Sequence, residues 1–382
     1  MSKSYVGNRS SKIKKVLKYT YMYGISRTHI KVKGHYHMQK EYDKSPLSDN
    51  LSSKGKNIGI IGCGNHAFTD IAYFLRKNRG DIIGSSMDID KNKAISLFEE
   101  YKAYKYTTNV EDILDDDNIE LVYVVSNHAT HTPYAIKALN SKKDVFVEKP
   151  ISINMEQYRD LLKSVRASNN TIYVGYNRPF SPAIDTIKSY ITDSSISLNC
   201  FIMGHKLSDD HWYRKSTEGS RVVSNLGHWI DLSIHLIMAK ETLPTKFELT
   251  LISANSKHKD DDFVLTIKTD LDDLSVLTFS TRSDPFEGVM ENISFQNEKI
   301  IAHIEDFRKL TIWDENKKIV KRFVPKDAGH EKSVLQPFDD EKRNWREIEW
   351  STFIMLKVEE MIQNGIKDIS FDIEKEIDNL IK

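Results

Sequence analysis

Asn57-Ile-Gly-Ile-Ile-Gly-Cys-Gly-Asn-His-Ala67 is the stretch on which the reading of the fold turns. A short apolar run ends in Gly62-x-Gly64-x-x-Ala67. The segment HAFTDIAYFLRKN follows, with Ala67, Ile71, Phe74 and Leu75 at helical spacing on one face. Strand, glycine turn and helix in that order form a dinucleotide-binding turn. Gly62 permits the tight bend, Gly64 lets backbone approach a pyrophosphate, and Ala67 allows close packing of helix on strand. The phosphate charge would rest on free N–H groups at the helix N-terminus, with Asn65 and His66 beside it. Without its surroundings the same turn could be an ordinary connection.

The surroundings repeat the unit. DIIGSSMD reads as a strand, KNKAISLFEEY as a helix and IELVYVVS as a buried strand. THTPYAIKALNS reads as a helix, KDVFVEKP as a strand, MEQYRDLLKSVRASN as a helix and TIYVGYN as a strand. Strands alternating with helices imply right-handed crossovers and a parallel, doubly wound sheet over residues 57–178. Residues 179–382 differ. One helix at Ala183–Ile191 and another from near Gly227 flank KFELTLISA, DFVLTIKT, LSVLTFST, NISFQN, KIIAHI, KLTIWD and IVKRFV. Consecutive strands joined by polar turns predict an open, mainly antiparallel sheet in an α+β domain, closed by helix from Trp345.

Ahead of both lies a leader, residues 1–56. It carries 13 Lys/Arg against 3 Asp/Glu, so its +10 is balanced by −10 in the rest of a chain of zero net charge. Ile13, Val16 and Leu17 predict a short amphipathic helix, and DKSPLSDNLSSKGK has the composition of a linker. Such a leader can make peripheral contact with an anionic membrane or wrap the acidic body of its own or a neighbouring subunit. The overall balance excludes a uniformly basic nucleic-acid binder. The 382 residues contain 2 cysteines, too few for a disulfide framework or a CxxC metal site. No apolar stretch reaches transmembrane length, and the first residues lack the apolar core of a signal peptide. These features predict a cytoplasmic globular protein with no metal centre.

Chemistry concentrates at a few positions. Asp88 closes the second strand, where an acid accepts from a ribose 2′-OH and repels a 2′-phosphate, favouring NAD over NADP; as an alternative it could cap the next helix. Glu148-Lys149-Pro150 ends a parallel strand at the crevice where such sheets bind ligands, so the Lys149 ammonium could donate to a substrate oxygen and exchange a proton; isolated, the tripeptide would be a surface turn. His228 and Asp231 share a helix face. His228 can relay a proton or be a packed core histidine; Asp231 counts among the candidate substrate-binding residues, and it can orient the imidazole or merely pair with it. Asn225 can hydrogen-bond a hydroxyl. Arg178 and Trp212 complete a candidate sugar pocket, with a structural ion pair and a core tryptophan as the alternatives; His211 is a weaker candidate.

GCGNHA, Asp88, SNHATHTPYAIKAL, VFVEKPIS and GYNRPFSP occur in the order seen in the Gfo/Idh/MocA oxidoreductases, which the chain resembles from Asn57 onward. The resemblance implies a Rossmann domain followed by an α/β domain whose open sheet carries substrate specificity and oligomer contacts. It implies Lys149 as the catalytic lysine, Glu148 as a cofactor-site residue, and Ser126, Asn127 and His131 flanking NAD. The segment GSRVVSNLGHWID resembles the family's histidine helix. There an acid stands four residues before the histidine, or three in the subgroup that GYNRPFSP resembles; here Ser224 and Asn225 stand instead. The implied function is NAD-dependent hydride transfer at a hydroxyl or keto carbon of a sugar, with the subgroup pointing to nucleotide sugars. A free inositol or glucose dehydrogenase is the alternative within the class, and a non-catalytic dinucleotide-binding protein is the alternative outside it. A homo-oligomer is expected.

Overall fold

The computed structural model describes residues 9–47, 52–315, 317–340 and 342–382. Residues 1–8 of the leader and 48–51 of its linker lie outside the described residues.

The first sheet grows from the apolar runs. Strands β1 (Ile58–Ile61), β2 (Ile83–Met87), β3 (Lys105–Thr107), β4 (Leu121–Val124), β5 (Asp144–Val147) and β6 (Ile172–Val174) lie in the order β3-β2-β1-β4-β5-β6. All five pairings are parallel. β1, β2 and β4 are buried at every position, as a sheet covered on both faces requires. The strand order reverses at β1/β4, and the crevice at that switch point holds the glycine turn. The three-residue edge strand β3 has no counterpart in the sequence reading.

The second sheet comprises β7 (Ile196–Gly204), β8 (Lys246–Ser253), β9 (Phe263–Thr269), β10 (Leu274–Ser280), β11 (Val289–Asn297), β12 (Ile300–Glu305), β13 (Lys309–Asp314), β14 (Lys317–Arg322) and β15 (Asp368–Asp372). Its order is β14-β13-β12-β11-β7-β10-β9-β8-β15, antiparallel except for β7 beside β10. The inner face buries Ile202, Leu265, Phe279 and Phe295 in one core with Trp229 and Phe353 from helices Gly227–Ile237 and Trp345–Asn364. The outer face leaves Phe201, Met290, Ile301 and Trp313 exposed. The chain then returns to the first sheet: Tyr123 Oη donates to the Val334 carbonyl at 2.7 Å, and Val334 joins that sheet's core.

The leader departs most from expectation. It is two helical segments spanning Arg9–His37, broken at Gly24, whose φ of +84° and ψ of 168° lie outside the helical region. Its C-terminal half packs on the chain's own dinucleotide-binding domain, over the helical segments Ala67–Ile71 and Lys91–Tyr101, the second of the two arrangements that its charge allowed. Ile30 is buried, His37 stacks on Phe68 at 4.1 Å, and the His37 ring reaches the Cys63 carbonyl at 2.7 Å. Lys31, Lys33 and Lys40 pair with Asp70, Glu100 and Glu99.

Candidate active site

The glycine turn is shaped by contacts that leave no alternative at Gly62. Its φ is +91°, and a Cβ there would lie 2.6 Å from the Ser126 backbone. At Gly64 a Cβ would meet nothing within 4 Å, so open space faces the start of the helical segment that begins at Ala67. Asp88 is tied to this turn. Its Oδ2 accepts from the Cys63 N–H at 2.7 Å and its Oδ1 from the Asp90 N–H at 2.8 Å. The cap of helix Lys91–Tyr101 is Asp90, not Asp88. A free approach at Gly64, an adjacent helix start and a carboxylate fixed at the end of β2 fit the pyrophosphate and adenosine ribose of NAD. NAD is therefore expected to bind more tightly than NADP, and Asp88→Ala to narrow the ratio. Fluorescence titration with both reduced cofactors measures it, and equal wild-type affinities would place Asp88 outside the ribose site.

His66 lines the cleft between two buried carboxylates. Its Nε2 lies 3.2 Å from Glu148 Oε1 and its Nδ1 3.4 Å from Asp70 Oδ2. Partial desolvation of this half-exposed ring disfavours the imidazolium, but the two carboxylates outweigh it and raise the pKa from 6.5 to about 9. Glu148 is correspondingly held low, with burial opposing and the His66 cation prevailing. It sits against β6, where a Cβ at Gly175 would come within 2.6 Å of Glu148 Oε1. Because the folded pKa lies above the unfolded one, the stabilisation from His66 is full below pH 6.5, declines above it and is gone past about 9. Thermal unfolding should show wild type exceeding His66→Asn in neutral buffer, with the gap closing as pH rises through that window. A constant gap would mean the pair is not charged.

Lys149 ends β5 at a cis Lys149–Pro150 peptide and donates from Nζ to the Ser224 carbonyl at 3.0 Å. The Ser224–Asn225 segment opens the histidine helix, so the lysine is held by backbone where the family resemblance leads one to expect a neighbouring acid. Asn225 Oδ1 and His228 Nδ1 are buried, without hydrogen-bond partners among the described residues, and both residues line the cleft with Lys149. Burial, then the nearby Arg178 cation, pushes His228 well below 6.5, so its ring is neutral. The arrangement offers one donor cation, one neutral proton acceptor and one amide facing the same space.

Other expected site residues serve the walls. Asn127, between the cleft-lining Ser126 and His128, donates to Glu218 Oε1 at 2.8 Å and anchors the turn at Ser216–Glu218. The His131 ring spans the carbonyls of Pro150 (2.8 Å) and Ser126 (3.0 Å), bracing two strand ends, and Ser126 Oγ is paired with Thr130. Arg178 is a structural ion pair at the cleft wall. It grips Glu291 at 2.8 and 2.9 Å and stacks 4.0 Å over Trp229, whose Nε1 also donates to Glu291. Asp231 is corrected outright. It is fully buried, its carboxylate clasped by both Nη atoms of Arg343 at 2.9 Å and by Ser351 Oγ at 3.0 Å, and it cannot reach a substrate or orient His228. Trp212 is 41% exposed and faces the cleft. His211 caps its turn, accepting from Tyr213 N.

The sequence reading missed three contributors. His128 packs 4.8 Å from Trp212 and is kept neutral by burial and Lys149, its pKa lowered to about 3. Its place directly after Asn127 was the available signal. Tyr213 extends the aromatic wall, and Glu291 supplies the buried counter-charge from β11, for which strand alternation gave no hint.

Residues 56–176 match the family model described as oxidoreductase family, NAD-binding Rossmann fold (GFO_IDH_MocA). Oxidoreductase P35 of Formosa agariphila is 31% identical over 140 residues, 37% of this chain and 43% of that protein. Myo-inositol 2-dehydrogenase of Thermotoga maritima is 25% identical over 139 residues, 36% of this chain and 41% of that protein. The chain thus spans less than half the length of these two curated relatives. Among solved structures, a Clostridium difficile dehydrogenase (MviM) superposes with TM-score 0.66 at 18% identity, covering 82% of this chain and all of that one. A levoglucosan dehydrogenase in complex with NADH gives 0.68 at 14% identity, covering 82% and 98%.

Proposed function

From the premise that residues 56–176 belong to the Gfo/Idh/MocA oxidoreductases and form their NAD-binding Rossmann domain, we propose that the chain oxidises a secondary hydroxyl of a sugar or cyclic polyol, or reduces the corresponding ketone. The observation that carries this is the convergence of Lys149, His228 and Asn225 on one cleft with the glycine turn. Bound NAD would supply the hydride acceptor. The chain's residues handle the rest. A Lys149 N–H not used on Ser224 donates to the substrate oxygen, and the neutral His228 ring takes the hydroxyl proton as the carbonyl forms. Burial and Arg178 disfavour the imidazolium, so the proton passes on to solvent. Asn225 binds a neighbouring hydroxyl, and Trp212 with Tyr213 offers aromatic faces to the C–H surface.

A nucleotide-sugar substrate is compatible with the size of the cleft. The cleft, open to solvent along one side, spans about 2200 Å3, above the roughly 300–1000 Å3 of a site for one small molecule, as a site that takes a substrate beside a cofactor would. Turnover of nucleotide sugars against free polyols decides this. Activity on free polyols alone would reject the nucleotide-sugar reading.

A further inference from the structure

Resting on the dinucleotide reading above, we propose that leader residues 16–37 are a strap across the mouth of the cleft, which must open at Gly24 for the cofactor to exchange. The leader's inner face is part of the site. Tyr19, Tyr23, Arg27 and Lys31 line the same cleft as Gly64, His66 and Lys149. The strap is fastened on both banks. On the glycine-turn side, Arg27 reaches the Asp70 carboxylate and the Thr69 carbonyl, and Lys31 Nζ reaches Asp70 Oδ2 at 2.7 Å. On the far side, Tyr23 Oη donates to Glu287 and Lys18 Nζ lies 3.9 Å over the Phe286 ring. Both belong to the loop between β10 and β11.

The two halves differ in how they are held. Residues after Gly24 are anchored by the buried Ile30 and the His37–Phe68 stack. Residues before it touch the body through the Tyr23 and Lys18 contacts, while Leu17 and Tyr21 face solvent. Gly24 itself has φ +84°, which glycine adopts without a Cβ penalty, and a Cβ there would meet nothing within 4 Å, so the kink faces open space. Partly exposed polar fastenings are individually weak and screened by salt, which suits a contact that opens in each cycle. A dinucleotide bound over Gly64 would occupy the cleft that Tyr19, Tyr23, Arg27 and Lys31 of the strap line, so its departure would require the far fastening to release.

The test is NADH release from the full-length protein, followed by stopped-flow displacement with excess NAD. Tyr23→Phe combined with Lys18→Ala should release NADH about tenfold faster than wild type at unchanged melting temperature, and salt should accelerate wild type more than the variant. A Tyr23→Cys/Glu287→Cys protein bridged by a short bismaleimide should release it at least tenfold more slowly than the same protein unbridged. Tight NADH binding with release rates unmoved by both loosening and bridging would overturn the strap alone. Absence of NADH binding would overturn the strap together with the cofactor reading.

Discussion

Lys149→Ala lowers turnover by at least about a hundredfold, the lower reach of a positioned proton-transfer group, while NADH affinity and unfolding temperature stay near wild type. The expectation follows from position. The lysine follows β5 at the switch-point crevice, and the one hydrogen bond of its ammonium among the described residues is to a backbone carbonyl, Ser224 O at 3.0 Å. The buried Glu148 carboxylate is held low chiefly by His66, with Lys149 a smaller contributor, so loss of Lys149 removes a donor and leaves that carboxylate its main partner. Steady-state kinetics with a fluorescence titration measures both halves. An unchanged rate would remove Lys149 from the chemistry, whereas lost folding would make it structural.

Arg343→Ala should lower the free energy of unfolding by about 3–5 kcal/mol, the usual consequence of removing one partner of a buried ion pair. Arg343 clasps Asp231 at 2.9 Å and reaches Glu347 at 2.6 Å, joining helix Trp345–Asn364 to the histidine helix. Asp231 is wholly buried and Glu347 nearly so. Truncation leaves two carboxylates facing each other in the core with His235 as the remaining partner of Glu347. Urea denaturation gives the difference. A change within about 0.5 kcal/mol, the range of an ordinary surface substitution, would show that the cluster is hydrated.

What the sequence disclosed followed from the range of each signal. The glycine turn, the buried strand at 121–124 and the lysine at the end of β5 are written in neighbouring residues, and the parallel sheet follows from their alternation. β7 went unread although it is central to the second sheet. Its inward Ile196, Leu198, Cys200 and Ile202 alternate correctly, but Phe201 and Met203 on the outward side blur the period. β3 is too short to carry a pattern. Contacts distant in sequence left no trace: Arg178 meets Glu291 across 113 residues, and Asp231 meets Arg343 across 112. An acid read as a substrate ligand from its helical spacing to His228 is for that reason a buried tie. The leader's charge was visible, but not which surface it covers, because that depends on where Asp70 and Glu287 fall in space.

The most direct test of the account is hydride transfer itself. Wild-type protein is incubated with NAD and a panel of cyclic polyols, free sugars and nucleotide sugars, and the best substrate is then supplied with deuterium at the carbinol carbon. The account predicts NADH formation with at least one member of the panel, deuterium carried directly into the cofactor, and loss of both in Lys149→Ala. NAD that binds tightly yet is reduced by no member of the panel, with Lys149→Ala indistinguishable from wild type in every assay, would contradict it and leave a dinucleotide-binding protein without this chemistry.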